Sequence, residues 1–563
     1  MTSSLSSPET CDVLVYGTGL VESIVAAALA WSGSNVVHID HNPYYGGLWA
    51  SLNLEELKTW TDQINSPDGN GGPYSNAYLY ISRNLDSRKY AIDISPHIMF
   101  TRSDLLGLLV QSRVSRYLEF KPLGSFHTFE QDSFEKVPGT KEDIFTSQSL
   151  SLLTKRSLMR FMKFVVEWDS HPEIWRPYKG VPISQFLQEK FLLERPQIVE
   201  FVHSIALLST PDAPTEVALD RIQKYLTSMG VYGPFPAMFS MYGSGGELAQ
   251  GFCRSAAVAG AVYRLGTKLE SFDEATGTAV LDNGERLIVA EKLITNQGLV
   301  ETGEEVTRMV AVVEKDCKEW FVEGESAAIV VFPVDTLDGN KYAVQALVLG
   351  AGSGQVPSGQ AVWYISTRET GEQGRKDLFL ALEKMEESIL RESTEDFEFD
   401  VSDEDVLLMP NGMPIISSVR LGESLRNFTP KESLKYLLKL TFTQKVTTRP
   451  PIRAASRPAR ASSGEDEISS SVETISGEPD SGKVLYISAP SVDIIYDGVL
   501  SEAKSIYESV TGSTDDFFDV DFEDEDDEDA GDSNTAAADG PGVDEEMVFA
   551  SAVDDEVAGE MTI

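Results

Sequence analysis

An α/β fold carrying a βαβ unit of the dinucleotide-binding type, with an all-helical subdomain inserted into it, is what this sequence predicts. Three observations carry the prediction. Residues 11–40 read as strand, glycine turn, helix and strand. Residues 150–210 place apolar side chains at helical spacing, and short strand-like runs resume after residue 261.

The first strand is the apolar run Cys11 to Tyr16, after which Gly17-Thr18-Gly19 turns the chain into the Ala-rich segment Leu20 to Trp31. A polar break at Ser32 to Asn35 leads to a second apolar run, Val36 to Asp40, which ends in an acid. Together they make a βαβ unit of the usual ~30 residues. Residues 65–73 (NSPDGNGGP) have the composition of a loop, and the next strand is placed at Lys89 to Ile94. A helix is predicted over 103–117, where Leu105, Leu108, Leu109 and Val114 recur at mostly helical spacing.

In the helical stretch the repeating positions include Leu152, Leu153, Leu158, Phe161, Met162, Val165 and Val166, with loops marked by Pro172 and Pro182. Strands follow at 261–265, 277–281, 286–290 and 328–333, with Asp282-Asn283-Gly284 as a hairpin turn between the second and third. Residues 372–400 are highly charged. Residues 431–442 read as a helix through Glu432, Leu434, Leu437, Leu438 and Leu440. Residues 443–482 hold too few apolar side chains to fold alone and read as a disordered linker. Val484 to Ser488 then reads as a strand, Leu500 to Val510 as a helix, and the chain after about Thr514 as a disordered acidic tail.

The net charge of -43 is concentrated, because residues 513–563 hold 20 of the 89 acidic residues and no Lys or Arg. An acidic balance argues against nucleic acid as a partner, since phosphate contacts need clustered Lys and Arg. Cys11, Cys253 and Cys317 are too few and too scattered for a disulfide framework or a thiolate metal site. The N-terminus, MTSSLSSPET, lacks a basic region followed by an apolar core, and no stretch offers the ~18 apolar residues of a membrane span. A soluble cytoplasmic protein is expected. The histidines show no metal-ligand spacing, and G-x-S-x-G, P-loop and Cys/His nucleophile patterns are absent from the sequence.

The chemistry therefore turns on the glycine turn. A GxGxxG turn uses its first glycine for the tight bend, its second for close approach to a pyrophosphate and its third for helix–strand packing. Here the third position is Glu22. A carboxylate suits a helix N-terminus, and competes there with a pyrophosphate for the same N–H groups. Asp40 stands where an acid would hold a ribose, which keeps a flavin or nicotinamide enzyme open as an alternative.

Beyond this point the residues match a family. The run Asp12 to Ser23 (DVLVYGTGLVES), followed by His38 to Gly47 (HIDHNPYYGG), resembles the Rab GDP-dissociation inhibitors and Rab escort proteins. Further matches are Ser115 to Lys121, Lys136-Val137-Pro138, Tyr242-Gly243 leading to Gly246 to Arg254, Leu485 to Ser488 and Ala503 to Tyr507. The resemblance covers roughly 11–330 and 484–518. It implies a flavin-monooxygenase-like fold without flavin, so that no cofactor is expected and Gly17, Gly19, Glu22 and Asp40 are vestigial.

It implies a platform for GDP-bound Rab GTPases, with Tyr44, Tyr45, Glu247 and Arg254 at the matching positions. Read without the family, Tyr44 and Tyr45 are a packed turn before Gly46-Gly47, and Glu247 and Arg254 an intrahelical pair seven residues apart. A groove for the Rab C-terminus would involve Leu105, Leu108 and Leu109. A pocket for the geranylgeranyl lipid would involve Met159, Phe161 and Met162, because Met fills irregular space. Ordinary core packing is the alternative for each of these six. The other implied partners are the Rab geranylgeranyltransferase α/β heterodimer, whose α subunit would dock on the helical subdomain, and a membrane, contacted transiently.

Length favours escort over recycling inhibitor, since residues 335–483 read as additional sequence without an inhibitor-like equivalent. The match also departs from the inhibitor pattern at Ser244-Gly245-Gly246, one residue longer, and at Val262 and Arg264. The expected organisation is a flexible 1–10, an α/β domain from 11–145 and 231–442, a helical domain 146–230, the linker 443–482, a final strand and helix 483–513, and the tail 514–563.

Overall fold

The computed structural model describes residues 9–66, 72–137, 151–322, 324–392, 406–408, 414–416, 420–421, 430, 432–448 and 482–519. Residues up to Asp519 form one unit; a second, Val520–Ile563, lies outside the described residues, with most of the predicted acidic tail.

In chain order the elements begin with β1 (Glu9–Tyr16), α1 (Leu20–Trp31), β2 (Val36–Asp40), β3 (Ser51–Leu52), α2 (Leu54–Ile64) and β4 (Tyr74–Ile81). There follow β5 (Ile92–Asp93), β6 (Met99–Phe100), α3 (Asp104–Gln111), β7 (Phe120–Leu123), β8 (Ser125–Glu130) and β9 (Ser133–Lys136). The helical stretch contains α4 (Leu152–Val166), α5 (Pro172–Trp175), α6 (Ile183–Phe191), α7 (Arg195–Val199), a π-helical turn at Glu200–Ile205 and α8 (Thr215–Ser228). Beyond it lie β10 (Ala237–Ser240), α9 (Gly245–Val258), β11 (Val262–Leu265), β12 (Leu269–Asp273), β13 (Thr278–Leu281), β14 (Arg286–Thr295) and β15 (Val300–Val313). Next come β16 (Ala327–Phe332), β17 (Val344–Gly350), β18 (Ala361–Thr367) and α10 (Gly371–Glu392), then β19 (Val406–Leu408), β20 (Pro414–Ile416), β21 (Arg420–Leu421), β22 (Tyr436–Thr448), β23 (Val484–Tyr486) and α11 (Val499–Thr511).

One sheet runs β11-β2-β1-β14-β13-β12, with β23 also paired to β14. Its centre is parallel: Val13 pairs with Val36 and Leu14 with Leu293. Every residue of α1 from Leu20 to Ala30 is buried, because the helix lies between the sheet, α9 and α11. An Ala-rich helix suits that place, since small side chains let three neighbours approach. A second sheet runs β21-β9-β8-β16-β17-β18-β15-β22-β4. In β16, Ala327, Ile329 and Val331 face one core while Ala328, Val330 and Phe332 face another beneath α10. A strand covered on both faces reads as one continuous apolar run, and that is why 328–333 was legible.

The helical expectation is met: helices occupy Leu152 to Ser228, around Phe161, Phe164, Phe186, Phe191 and Phe201. Arg221 of α8 fastens this subdomain to the segment before α11, through Asp493 at 2.6 Å and Asp497 at 2.8 Å. Asp493 also meets Arg368 at 3.1 Å.

Several expectations are corrected. Of the predicted helix 431–442, the described residues 432–442 are not helical; 436–448 form β22, paired with β15 and β4. Leu434, Leu437 and Leu438 mimic helical spacing, but Leu438, Leu440 and Phe442 share one face at the period of a strand. It follows that the predicted linker cannot begin at 443; the rest of it, 449–481, lies outside the described residues. The strand placed at Lys89 to Ile94 shrinks to Ile92–Asp93, preceded by a 3-10 turn that Asp86 caps. The helix over 103–117 stops at Gln111, because Arg113 takes a left-handed φ of 55° before a 3-10 turn at Val114–Tyr117. Phe517 and Phe518, assigned to the tail, are buried against the core of α1, α9 and α11. Among the described residues no helix is long and apolar enough to cross a membrane.

Candidate functional site

The glycine turn bends as its motif requires, with Gly17 at φ 110°. Its polar groups, however, are used internally. Asp40 is fully buried and accepts from Thr18 N–H (2.7 Å), Thr18 Oγ1 (2.6 Å) and Asn42 N–H (2.8 Å). Glu22 is buried as well, and its Oε1 accepts from Asn296 Nδ2 at 2.7 Å. Burial pushes the Glu22 carboxyl up to about 8. Its side chain folds over the turn so closely that a Cβ on Gly19 would lie 2.4 Å from Oε2.

The loop Tyr44 to Gly47 closes the same turn from above. Gly46 N–H donates to Thr18 O (3.1 Å) and Thr18 Oγ1 (3.0 Å), and a Cβ on Gly47 would lie 3.4 Å from Gly19 N. A dinucleotide needs free N–H groups at this turn and an acid free for its ribose. Asp40 and Gly46 are bonded to Thr18, Glu22 to Asn296, and Gly47 lies against Gly19, so the residues present do not fit a flavin or nicotinamide dinucleotide.

The four expected platform residues fall in two places. Tyr44 is half-buried against the core, and burial raises its hydroxyl well above the usual range. Tyr45 is half-buried, edge-on to Tyr263 at 6.0 Å. Gly46, at φ 100°, brings this loop against the start of α9; a Cβ there would lie 3.2 Å from Gly246 Cα. Glu247, in the first turn of α9, is half-buried, and burial followed by the Asp93 charge raises its carboxyl. The structure thus joins the loop at Tyr44-Tyr45 to the helix start at Glu247. Arg254 sits seven residues further along α9, about 10 Å, exposed, with its guanidinium 4.4 Å over the ring of Tyr117. The cation lies on an aromatic face, not against Glu247 as the intrahelical alternative had it.

Sequence reasoning missed what holds this arrangement. Asp93, on β5, accepts from Ser51 Oγ, from Ser244 N–H (3.1 Å) and from Gln355 Nε2 (2.9 Å), while its own N–H donates to the Tyr364 hydroxyl (3.1 Å). It ties the start of α9 to β3, to β18 and to the turn after β17. A short strand ending in one acid carried no signal of that role.

The residues expected to line a groove and a pocket pack inward in this conformation. Leu105, Leu108 and Leu109 lie in the core shared with α1 and α9, because the apolar face of α3 points inward. Leu105 also borders a cavity of about 70 Å³ near Lys224 and Asp497, far below the ~300 Å³ of an ordinary ligand pocket. Phe161 is fully buried, its ring 5.1 Å from Phe191 and 4.8 Å from Phe201. Met159 and Met162 flank it on α4 and are half-buried. In this conformation Phe161 packs the core.

With the geometry in place, comparison with known proteins is informative. The profile described as GDP dissociation inhibitor matches residues 7–396. That span includes 335–396, so those residues are family sequence, where additional sequence had been expected. The chain is 46% identical to Rab proteins geranylgeranyltransferase component A of Saccharomyces cerevisiae, over 98% of this chain and 90% of that protein. It is 41% identical to the protein of the same name from Candida albicans, over 92% and 87%. Rab escort protein 1 of Arabidopsis thaliana is 29% identical over 67% and 80%. Among solved structures, Rab GDI from Plasmodium falciparum superimposes with a TM-score of 0.60 at 19% identity, covering 90% of this chain and 99% of that one. That likeness shows the fold.

Proposed function

The chain belongs to the GDP dissociation inhibitor family, and on that premise we propose that it is a Rab escort protein, the non-catalytic accessory component of Rab geranylgeranyltransferase. It binds newly made Rab GTPases in the GDP state on the surface that carries Tyr44, Tyr45, Glu247 and Arg254. It presents their C-terminal cysteines to the transferase α/β heterodimer, which performs the chemistry, and so serves vesicle-mediated transport. Afterwards it shelters the geranylgeranyl chains in the helical subdomain and delivers Rab to a membrane. Since Phe161 closes that core, lipid entry requires the helices to part.

The observation that carries this reading is the closed glycine turn. Glu22 and the Tyr44 to Gly47 loop fill the turn where a dinucleotide would sit, and the two tyrosines of that loop stay half-buried, Tyr44 against the core and Tyr45 against Tyr263. Likeness to component A proteins over nearly the whole chain supports escort over recycling inhibitor.

The test is prenylation. With unprenylated Rab, transferase and geranylgeranyl diphosphate, lipid transfer should require this protein. Extraction of prenylated Rab from membranes without any stimulation of transfer would instead make it a recycling inhibitor.

A further inference from the structure

Half-exposed tyrosines are ordinary, and residues with positive φ are uncommon; a tyrosine that is both is a strained side chain held out to solvent. Tyr242 is 50% exposed and has φ 66°. It stands two residues before Ser244, the N-cap of α9, and so beside the helix start that bears Glu247. Its N–H donates to Ser353 O at 2.8 Å. Its ring lies on Gly354, where a Cβ would come within 2.5 Å of Tyr242 Cδ1. Gly354 itself has φ 74°. Two left-handed residues are thus spent on seating one aromatic ring whose other half is bare.

The seat is not isolated. Gln355, next to Gly354, donates to the same Asp93 carboxylate that receives the Ser244 N–H, and Gly243 packs so tightly on Ser51 that a Cβ would lie 2.2 Å from its Oγ. The turn 351–355, the bend 242–244 and the start of α9 are therefore one rigid body knotted at Asp93. Tyrosine suits a contact made from such a body, because it offers large area with few rotors to freeze.

We propose that Tyr242, seated on Gly354, is a further contact residue for the GDP-bound GTPase, and that the docking surface extends from Tyr45 and Glu247 across a third chain segment, the turn after β17. The proposal rests on the reading of this face as the GTPase platform, and the experiment separates the two. Affinity for a purified, GDP-loaded, unprenylated Rab is measured for the wild-type chain and for Tyr242→Ala, Gly354→Ala and Tyr45→Ala, each checked for an unchanged thermal unfolding midpoint.

Tyr242→Ala should weaken binding about tenfold, and Tyr242→Phe should retain most of the affinity. Gly354→Ala, which keeps the tyrosine but displaces its ring, should also weaken binding severalfold. If Gly354→Ala misfolds, the Ala and Phe variants at 242 still decide. Wild-type affinity in Tyr242→Ala together with loss in Tyr45→Ala overturns the extension and leaves the platform standing. Wild-type affinity in both overturns the platform and the extension with it.

Discussion

The glycine turn and the helical subdomain are closed in opposite ways. At the turn, polar groups satisfy one another: Asp40 takes three hydrogen bonds, Glu22 takes one from Asn296, and Gly46 donates to Thr18. In the subdomain, apolar rings meet edge to face around Phe161. A polar closure is directional, and a group in it that loses its partner while still buried bears its full desolvation penalty. An apolar closure is non-directional, and can re-form around a lipid as readily as around itself. The first closure fixes the geometry of its groups, and the second constrains its groups less tightly.

The sharpest way to break that contrast is Phe161→Ala. Emptying a fully buried aromatic position should cost about 3–5 kcal/mol, read as a lowered denaturation midpoint, while affinity for unprenylated Rab stays near wild type. A matching loss of Rab affinity would show that the two regions are not separable.

Next in size is Glu22→Gln. The folded-state carboxyl is raised to about 8 against an ordinary 4.5, so between those values the folded chain holds a proton that the unfolded chain releases. Stability of the wild type then falls as pH rises, by at most about 1.4 kcal/mol per unit, and levels off above about 8. The glutamine variant lacks this penalty. It should match the wild type near pH 4.5 and exceed it increasingly up to pH 8 in chemical denaturation; a difference independent of pH would mean that Glu22 is ionised in the fold.

Smaller still are the surface variants. Tyr45→Ala and Arg254→Ala should each weaken Rab binding about tenfold, near 1.4 kcal/mol, with unfolding midpoints within ~0.5 kcal/mol of wild type. Arg254→Ala also removes the cation from the face of Tyr117, so Arg254→Lys should recover part of the loss.

How far the sequence went can be judged from particular residues. The βαβ unit was legible because its strands, turn and helix are set by neighbours within a few residues: Gly17 must bend, and the stretch Ile24 to Ala30 must be apolar and rich in Ala to lie under two helices. Strand β22 was misread because Leu434, Leu437 and Leu438 recur at helical spacing while Leu438, Leu440 and Phe442 recur at strand spacing, and only pairing with β15 and β4 chooses between them. Helix α2 was overlooked, although Asn53 and Glu56 form a capping box at its start.

For the candidate site, Glu22 and the Tyr-Tyr-Gly-Gly loop were visible as departures from a motif whose chemistry is known. By itself, then, the sequence determined that the turn exists, that an acid stands where a glycine should, and that the family is that of the GDP dissociation inhibitors. Only the tertiary structure decided what fills the turn, that Leu105, Leu108 and Leu109 face inward, and that Asp93 and Gly354 meet Ser244 and Tyr242 from more than a hundred residues away in the chain. Local conformation follows from short-range sterics and hydrogen bonding, which a sequence displays. Which distant groups meet depends on burial shared among many elements, and no local pattern records it.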